Sequence, residues 1–134
     1  MADTGYSGTP LVKKLGIKSG MTVALVGAPE QFEKLLKGLP KDVKLVRGGT
    51  AAVDLLMWWP ASSNDLAARV KKIDARLAPG GSVWIAWAKK ASGVKTDLSD
   101  RVVRETGLAN ALVDYKVCAI DETWSGLKFA RRKT

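Results

Sequence analysis

The chain of 134 residues contains no histidine. That excludes Ser-His-Asp and Cys-His catalysis and every histidine-ligated metal centre. Cysteine is almost absent as well. Cys118 stands alone, so neither an internal disulfide nor a cysteine-ligated zinc site can form. Only carboxylate-type metal sites are left, and no metal is expected. Long hydrophobic runs are missing too. The longest uncharged apolar run, Leu55 to Ala61, has seven residues and contains Pro60, against the roughly twenty that a membrane helix needs. A membrane is therefore not an expected partner. The opening Met1-Ala2-Asp3-Thr4-Gly5 has an acid and no apolar core, unlike a signal peptide, so the expected location is the cytoplasm.

Acidic residues are in deficit, 13 Asp+Glu against 22 Lys+Arg, for a formal net charge of +9. Such a balance favours anionic partners: a small molecule, a protein surface, or weak, salt-sensitive association with nucleic acid. The basic residues are spread along the whole chain, which also fits a plain solvated face. The length suits one domain over residues 1–134, with 1–20 an N-terminal helical arm and 131–134 a basic tail.

What is present is a regular alternation of strands and helices. Thr9 is a good N-cap, Pro10 suits the first position of a short helix, and Gly16 suits its C-terminal end. Thr22 to Val26 is a continuous apolar run ending at Gly27, the pattern of a strand buried on both faces. Pro29 opens a helix with Phe32, Leu35 and Leu36 at helical spacing, stopped by Gly38 and Pro40. Val43 to Val46 and Val53 to Trp58 read as the second and third strands. Ser62 or Ser63 caps a helix whose Leu66, Val70, Ile73 and Leu77 share one face, with Pro79-Gly80-Gly81 as its stop. Ser82 to Trp87 is the fourth strand, and Ala88 to Lys95 a polar loop. Thr96 or Asp97 caps a helix carrying Leu98, Val102 and Val103. Strands near Leu112 to Ile120 and Leu127 to Ala130, joined through Gly126, read as an antiparallel hairpin. The class is α/β, a three-layer sandwich with a mostly parallel six-stranded sheet and helices on both faces.

The stretch Leu-Ala-Pro-Gly-Gly-Ser-Val-Trp-Ile-Ala-Trp, Leu77 to Trp87, resembles the joint before the fifth strand of class I methyltransferases. That resemblance implies the strand order 2-1-3-4-6-5 with the last strand antiparallel. In that family the first strand ends with an acid and a glycine-rich turn, and an acid after the second strand holds the cofactor ribose. Here Leu25 and Pro29 stand at the acid and second-glycine positions, and Arg47 follows the second strand. Asp54 matches the residue that often opens the corresponding strand. Cofactors are accordingly not expected: the loop disfavours S-adenosylmethionine, and the lone Gly27 disfavours a nicotinamide nucleotide. Almost the whole chain also resembles a family of small bacterial proteins known only as a domain of unknown function. The phrases Lys14-Leu15-Gly16-Ile17-Lys18, Gly27-Ala28-Pro29 and Val117 to Lys128 carry that likeness.

In an open parallel sheet, ligands sit beyond the carboxyl ends of the strands, where strand order reverses. The residues expected there are Gly27 and Ala28 after the first strand, Trp58 and Trp59 after the third, and Trp87, Lys89, Lys90 and Ser92 after the fourth. Indole faces beside two ammonium groups can stack a ring and neutralise an anion. The same residues can equally be helix–sheet packing and solvated charge. A Ser92 nucleophile with Lys89 as base, and an Asp121–Glu122 pair, are weaker alternatives. Cys118 reads as an inert core residue. Three functions stay open, in this order: a non-catalytic binding or interaction module, a small enzyme or sensor for an anionic molecule, and a nucleic-acid-associated protein.

Overall fold

A computed structural model describes residues 10–131. Six strands form one sheet: β1 (Thr22–Val26), β2 (Lys44–Arg47), β3 (Val53–Trp58), β4 (Leu77–Ala88), β5 (Leu112–Ala119) and β6 (Trp124–Arg131). Their order is β2-β1-β3-β4-β6-β5, with β6 antiparallel to both its neighbours and all other pairs parallel. The α/β class and the strand order both hold. Alternate residues of each central strand enter opposite cores, as a doubly covered sheet requires. Ala24, Leu56, Trp58, Val83 and Ile85 belong to one cluster; Val23, Leu25, Leu55, Met57 and Trp84 belong to the other. Each fully buried Val, Leu, Ile or Met side chain among these contributes about 1.5–3 kcal/mol.

Over the first cluster lie α2 (Ser63–Ala75) and α3 (Asp100–Ala109). The Ser62 hydroxyl caps α2 by accepting from the Asp65 N–H at 3.1 Å, and Leu66, Val70 and Ile73 face the core. Leu77 joins the same cluster but as the first residue of β4. Pro79-Gly80-Gly81 is not the helix stop: α2 ends at Ala75, and the tripeptide is an irregularity within β4. Val53 pairs with Leu77 while Leu55 pairs with Ser82, so β4 loops outward before rejoining β3. A Cβ on Gly81 would lie 2.9–3.2 Å from three backbone carbonyl oxygens, so only glycine fits that close approach. Likewise α3 is capped by Ser99, whose hydroxyl accepts from the Val102 N–H at 3.2 Å, not by Thr96 or Asp97. Asp97 is bound elsewhere, and Leu98 is buried just ahead of the helix.

Cover on the opposite face is thinner. There α1 (Leu11–Leu15) buries Leu11, Val12 and Leu15 and ends at Gly16 with φ 81°. Pro10 is its N-cap, not its first helical residue, and Thr9 lies outside the described residues. Both the Trp84 indole N–H and the Lys128 ammonium donate to the Leu15 carbonyl, at 2.9 and 3.1 Å, satisfying an orphan acceptor at the helix end. Burial pushes the Lys128 pKa down. The helix expected after Pro29 is only a 3-10 turn, Phe32–Leu35. Arg47 explains the shortfall: its guanidinium takes the carbonyls of Ala28, Pro29 and Glu30, and the first and last of these would otherwise accept helical N–H groups.

Candidate functional site

The ends of β1 and β3 are stitched together at the carboxyl edge. The Trp59 N–H donates to the Val26 carbonyl at 2.8 Å. Gly27 has φ 72°, and a Cβ there would lie 2.7 Å from the Trp59 carbonyl oxygen. The glycine is therefore demanded by the neighbouring strand itself. Beyond this junction opens a hollow of about 400 Å³. Gly27, Trp59 and Pro60 form one side, Asp65 and Arg69 of α2 another, and Ala88, Val94, Lys95, Thr96, Leu98 and Trp124 the rest. A second hollow of about 650 Å³ adjoins it, sharing Ala88, Val94, Lys95, Thr96 and Leu98 and adding Trp87, Lys90, Ser99 and Asp100. Together they make one cleft divided by the loop after β4.

Four expected site residues thus separate from four others in an informative way. Gly27, Trp59, Trp87 and Lys90 line the cleft. Trp58 does not: it is fully buried in the first cluster, with the Arg69 guanidinium 5.7 Å from its ring centroid. Ala28 turns its carbonyl to Arg47 and packs against the second cluster. Lys89 donates its backbone N–H to the Thr123 carbonyl at 2.7 Å, and neither it nor Ser92 lines either hollow. The Ser92 hydroxyl donates to the Lys89 carbonyl at 2.6 Å and accepts from the Val94 N–H. It closes its own turn; the Lys89 ammonium is not its partner there.

Sequence reasoning missed Asp65, Arg69, Val94, Lys95, Thr96, Leu98 and Trp124 as wall residues. The available signal was the run Lys95-Thr96-Asp97, which also reads as a helix cap. Its real role is to join two elements. The Asp97 carboxylate accepts from the Ser63 N–H at 2.8 Å and from the Ser63 hydroxyl, fastening the loop to the start of α2. Those bonds hold the Asp97 carboxyl below the usual carboxylate range. Asp65 accepts from the Ala61 N–H and pairs with Arg69, and Asp100 pairs with Arg104. All three carboxylates of the cleft are therefore engaged. Lys90 and Lys95 are exposed and form no ion pair among the described residues. The Trp59 indole N–H is buried without an acceptor among the described residues. The Trp58 indole N–H is in the same condition, so the feature is shared by a residue outside the cleft.

Three further expectations find their place. Asp121 accepts from the Thr123 and Trp124 N–H groups, both at 2.8 Å, and so caps the hairpin turn. Burial raises the Cys118 thiol pKa, which disfavours the reactive thiolate. Arg47 binds Glu33 through both carboxylate oxygens, at 2.7 and 2.8 Å, and pulls its pKa down to about 2. No helix among the described residues is long and apolar enough to cross a membrane.

The family model for a protein of unknown function, DUF3052, matches residues 12–133. The chain belongs to the DUF3052 family. No curated protein matches this DUF3052 chain. Solved structures do resemble its fold. DhpI in its SAH complex is 12% identical, covering 91% of this chain and 81% of its own, with a TM-score of 0.65. The N-methyltransferase NodS from Bradyrhizobium japonicum WM9 is 14% identical, covering 92% and 93%, with a TM-score of 0.61. A ribosomal protein L11 methylase from Lactobacillus delbrueckii subsp. bulgaricus is 16% identical, covering 92% and 76%, with a TM-score of 0.58. At these identities the likeness establishes a methyltransferase-like fold and nothing about activity.

Proposed function

We propose that this DUF3052 protein is a non-catalytic binding module that holds an anionic small molecule with a flat or apolar part at the carboxyl edge of its sheet. The observation that carries this reading is the cleft wall itself, where the aromatic residues Trp59 and Trp124 share one hollow with Lys95, a cation without an ion-pair partner among the described residues. Trp87, Trp124 and Leu98 supply apolar contact, and Lys90 and Lys95 supply positive charge without ion-pair partners among the described residues. A ligand combining a ring or apolar part with a negative charge would use both. The commitment of Asp65, Asp97 and Asp100 to other partners supports binding over catalysis, because every carboxylate lining the cleft already serves a structural contact.

The residues at the cofactor position do not fit S-adenosylmethionine. Where the family resemblance calls for a ribose-holding acid, Arg47 stands, and its guanidinium is occupied by Glu33 and three loop carbonyls. Where it calls for open backbone, the side of Gly27 is filled by the Trp59 carbonyl.

Two titrations test the reading together. S-Adenosylmethionine should release no heat in calorimetry. The anionic ring probe anilinonaphthalene sulfonate should bind at one site, quenching tryptophan emission, and lose about tenfold in affinity in Lys95→Glu. Micromolar S-adenosylmethionine binding would overturn the reading. So would probe binding that ignores the Lys95 charge reversal.

A further inference from the structure

A third hollow borders the C-terminal half of α2 and uses a different part of the fold. After β2 the chain passes over β1 and enters β3 through Gly48–Ala52, with no helix between. A parallel crossover normally spends about a dozen residues and a helix on this passage. Here the short crossing is tied to the end of α2: the Val53 N–H donates to the Arg76 carbonyl at 3.0 Å, and Arg76 Nε donates to the Ala51 carbonyl at 2.8 Å. Between the crossing and α2 a groove of about 430 Å³ is left, in the space that a crossover helix would fill.

The groove has a definite chemistry. Val26 and Ile73 give it apolar walls, and Arg69, Lys72 and Arg76 line it from α2. Those three cations are spaced by three and four residues, so they form one stripe along the helix. No carboxylate lines the groove. Arg69 is paired with Asp65, but Lys72 and Arg76 make no ion pair among the described residues. At 1.5 Å per residue the stripe runs about 10 Å, longer than one carboxylate or phosphate and matched by three or four residues of extended chain. Aromatic stacking surfaces are absent from the lining, which disfavours single-stranded nucleic acid.

We infer that this groove is a docking site for an acidic peptide segment of a partner protein. Carboxylates of the segment pair with Lys72 and Arg76, and an apolar side chain between them rests on Val26 and Ile73. The inference shares no charged contact with the cleft reading apart from Arg69, which both hollows border.

The test is a displayed random-peptide library panned against the intact protein. Enriched sequences should carry Asp or Glu on both sides of an apolar residue. A synthetic peptide of the winning sequence should bind Lys72→Glu at least about tenfold more weakly, with an affinity that falls as salt is raised. The Lys72 side chain is exposed and makes no ion pair among the described residues, so the substitution should move the melting temperature little. The same peptide should bind Lys95→Glu as it binds the wild type, which separates this groove from the cleft. Failure to enrich any acidic motif would overturn the inference, as would equal affinity for Lys72→Glu. Displacement of the peptide by a short single-stranded DNA that itself depends on Lys72 would also overturn it, by making the stripe a nucleic-acid surface.

Discussion

Over one face of the sheet lie α2 and α3, of 13 and 10 residues, each with a serine cap and an apolar side turned inward. Over the other lie the five-residue α1 and a single 3-10 turn. Both faces bury their strands completely: Leu56 and Met57, neighbours that point to opposite sides, are each 0% exposed. The means differ. The long helices close their own hydrogen bonds and bring a continuous stripe of side chains. The short elements cannot, and are pinned by point contacts from distant residues: Trp84 and Lys128 on the Leu15 carbonyl, Arg47 on the loop after β1. The comparison teaches where binding surface arises. Both hollows border α2: the cleft opens past the strand ends beside the starts of α2 and α3, and the groove opens where a crossover helix is lacking.

The largest effect should come from breaking the regular face. Leu66 is fully buried at the centre of the α2 stripe, so Leu66→Ala should cost about 2–5 kcal/mol in urea denaturation and lower the single cooperative transition of the whole molecule. A cost below about 1 kcal/mol would mean that the helix is not the principal seal on that side.

Trp84→Phe should have a smaller and more local effect. It keeps an aromatic ring but removes one of the two donors to the Leu15 carbonyl, leaving Lys128 in place, a loss of about 0.5–1.5 kcal/mol. Hydrogen exchange should accelerate at Gly16 and Ile17, whose N–H groups close the end of α1, while the amides of α2 stay protected. Uniform acceleration across both faces would show that α1 is not held independently.

Smallest should be Arg47→Gln, because both partners of the pair are substantially exposed and its melting temperature should hardly move. The readable consequence is in titration. With Arg47 present the Glu33 carboxyl titrates near about 2, below its ordinary 4.5. A depressed carboxyl pKa stabilises the fold above the ordinary value, and that contribution fades as pH falls from about 4.5 towards 2. In Arg47→Gln the midpoint, followed by NMR, should return towards the ordinary range. An unchanged midpoint would show that Arg47 is not what lowers the Glu33 pKa.

Much of the fold was legible because it depends on neighbours in sequence. Thr22–Val26 and Val53–Trp58 are strands at the residues where their apolar runs lie, and Ser62 caps α2 as its side-chain chemistry suggests. The helix expected at Pro29 failed because its carbonyls are claimed by Arg47, 17 to 19 positions away. The expected site split for a similar reason. Trp58 and Trp59 are adjacent, but strand alternation sends the first into the core under α2 and the second into the cleft wall.

By itself the sequence determined the class of this protein: an alternating α/β chain with a mostly parallel sheet, without histidine or disulfide chemistry. Apolar periodicity and caps act over a few residues, so they can be read along the chain. Only the tertiary structure decided that Asp97 reaches Ser63, that Lys95 and Thr96 wall the cleft, and that Lys128 caps a helix 113 residues away. Those contacts depend on which segments the packed sheet brings within about 3 Å of one another, and hydrogen bonds of that range leave no periodic trace in sequence.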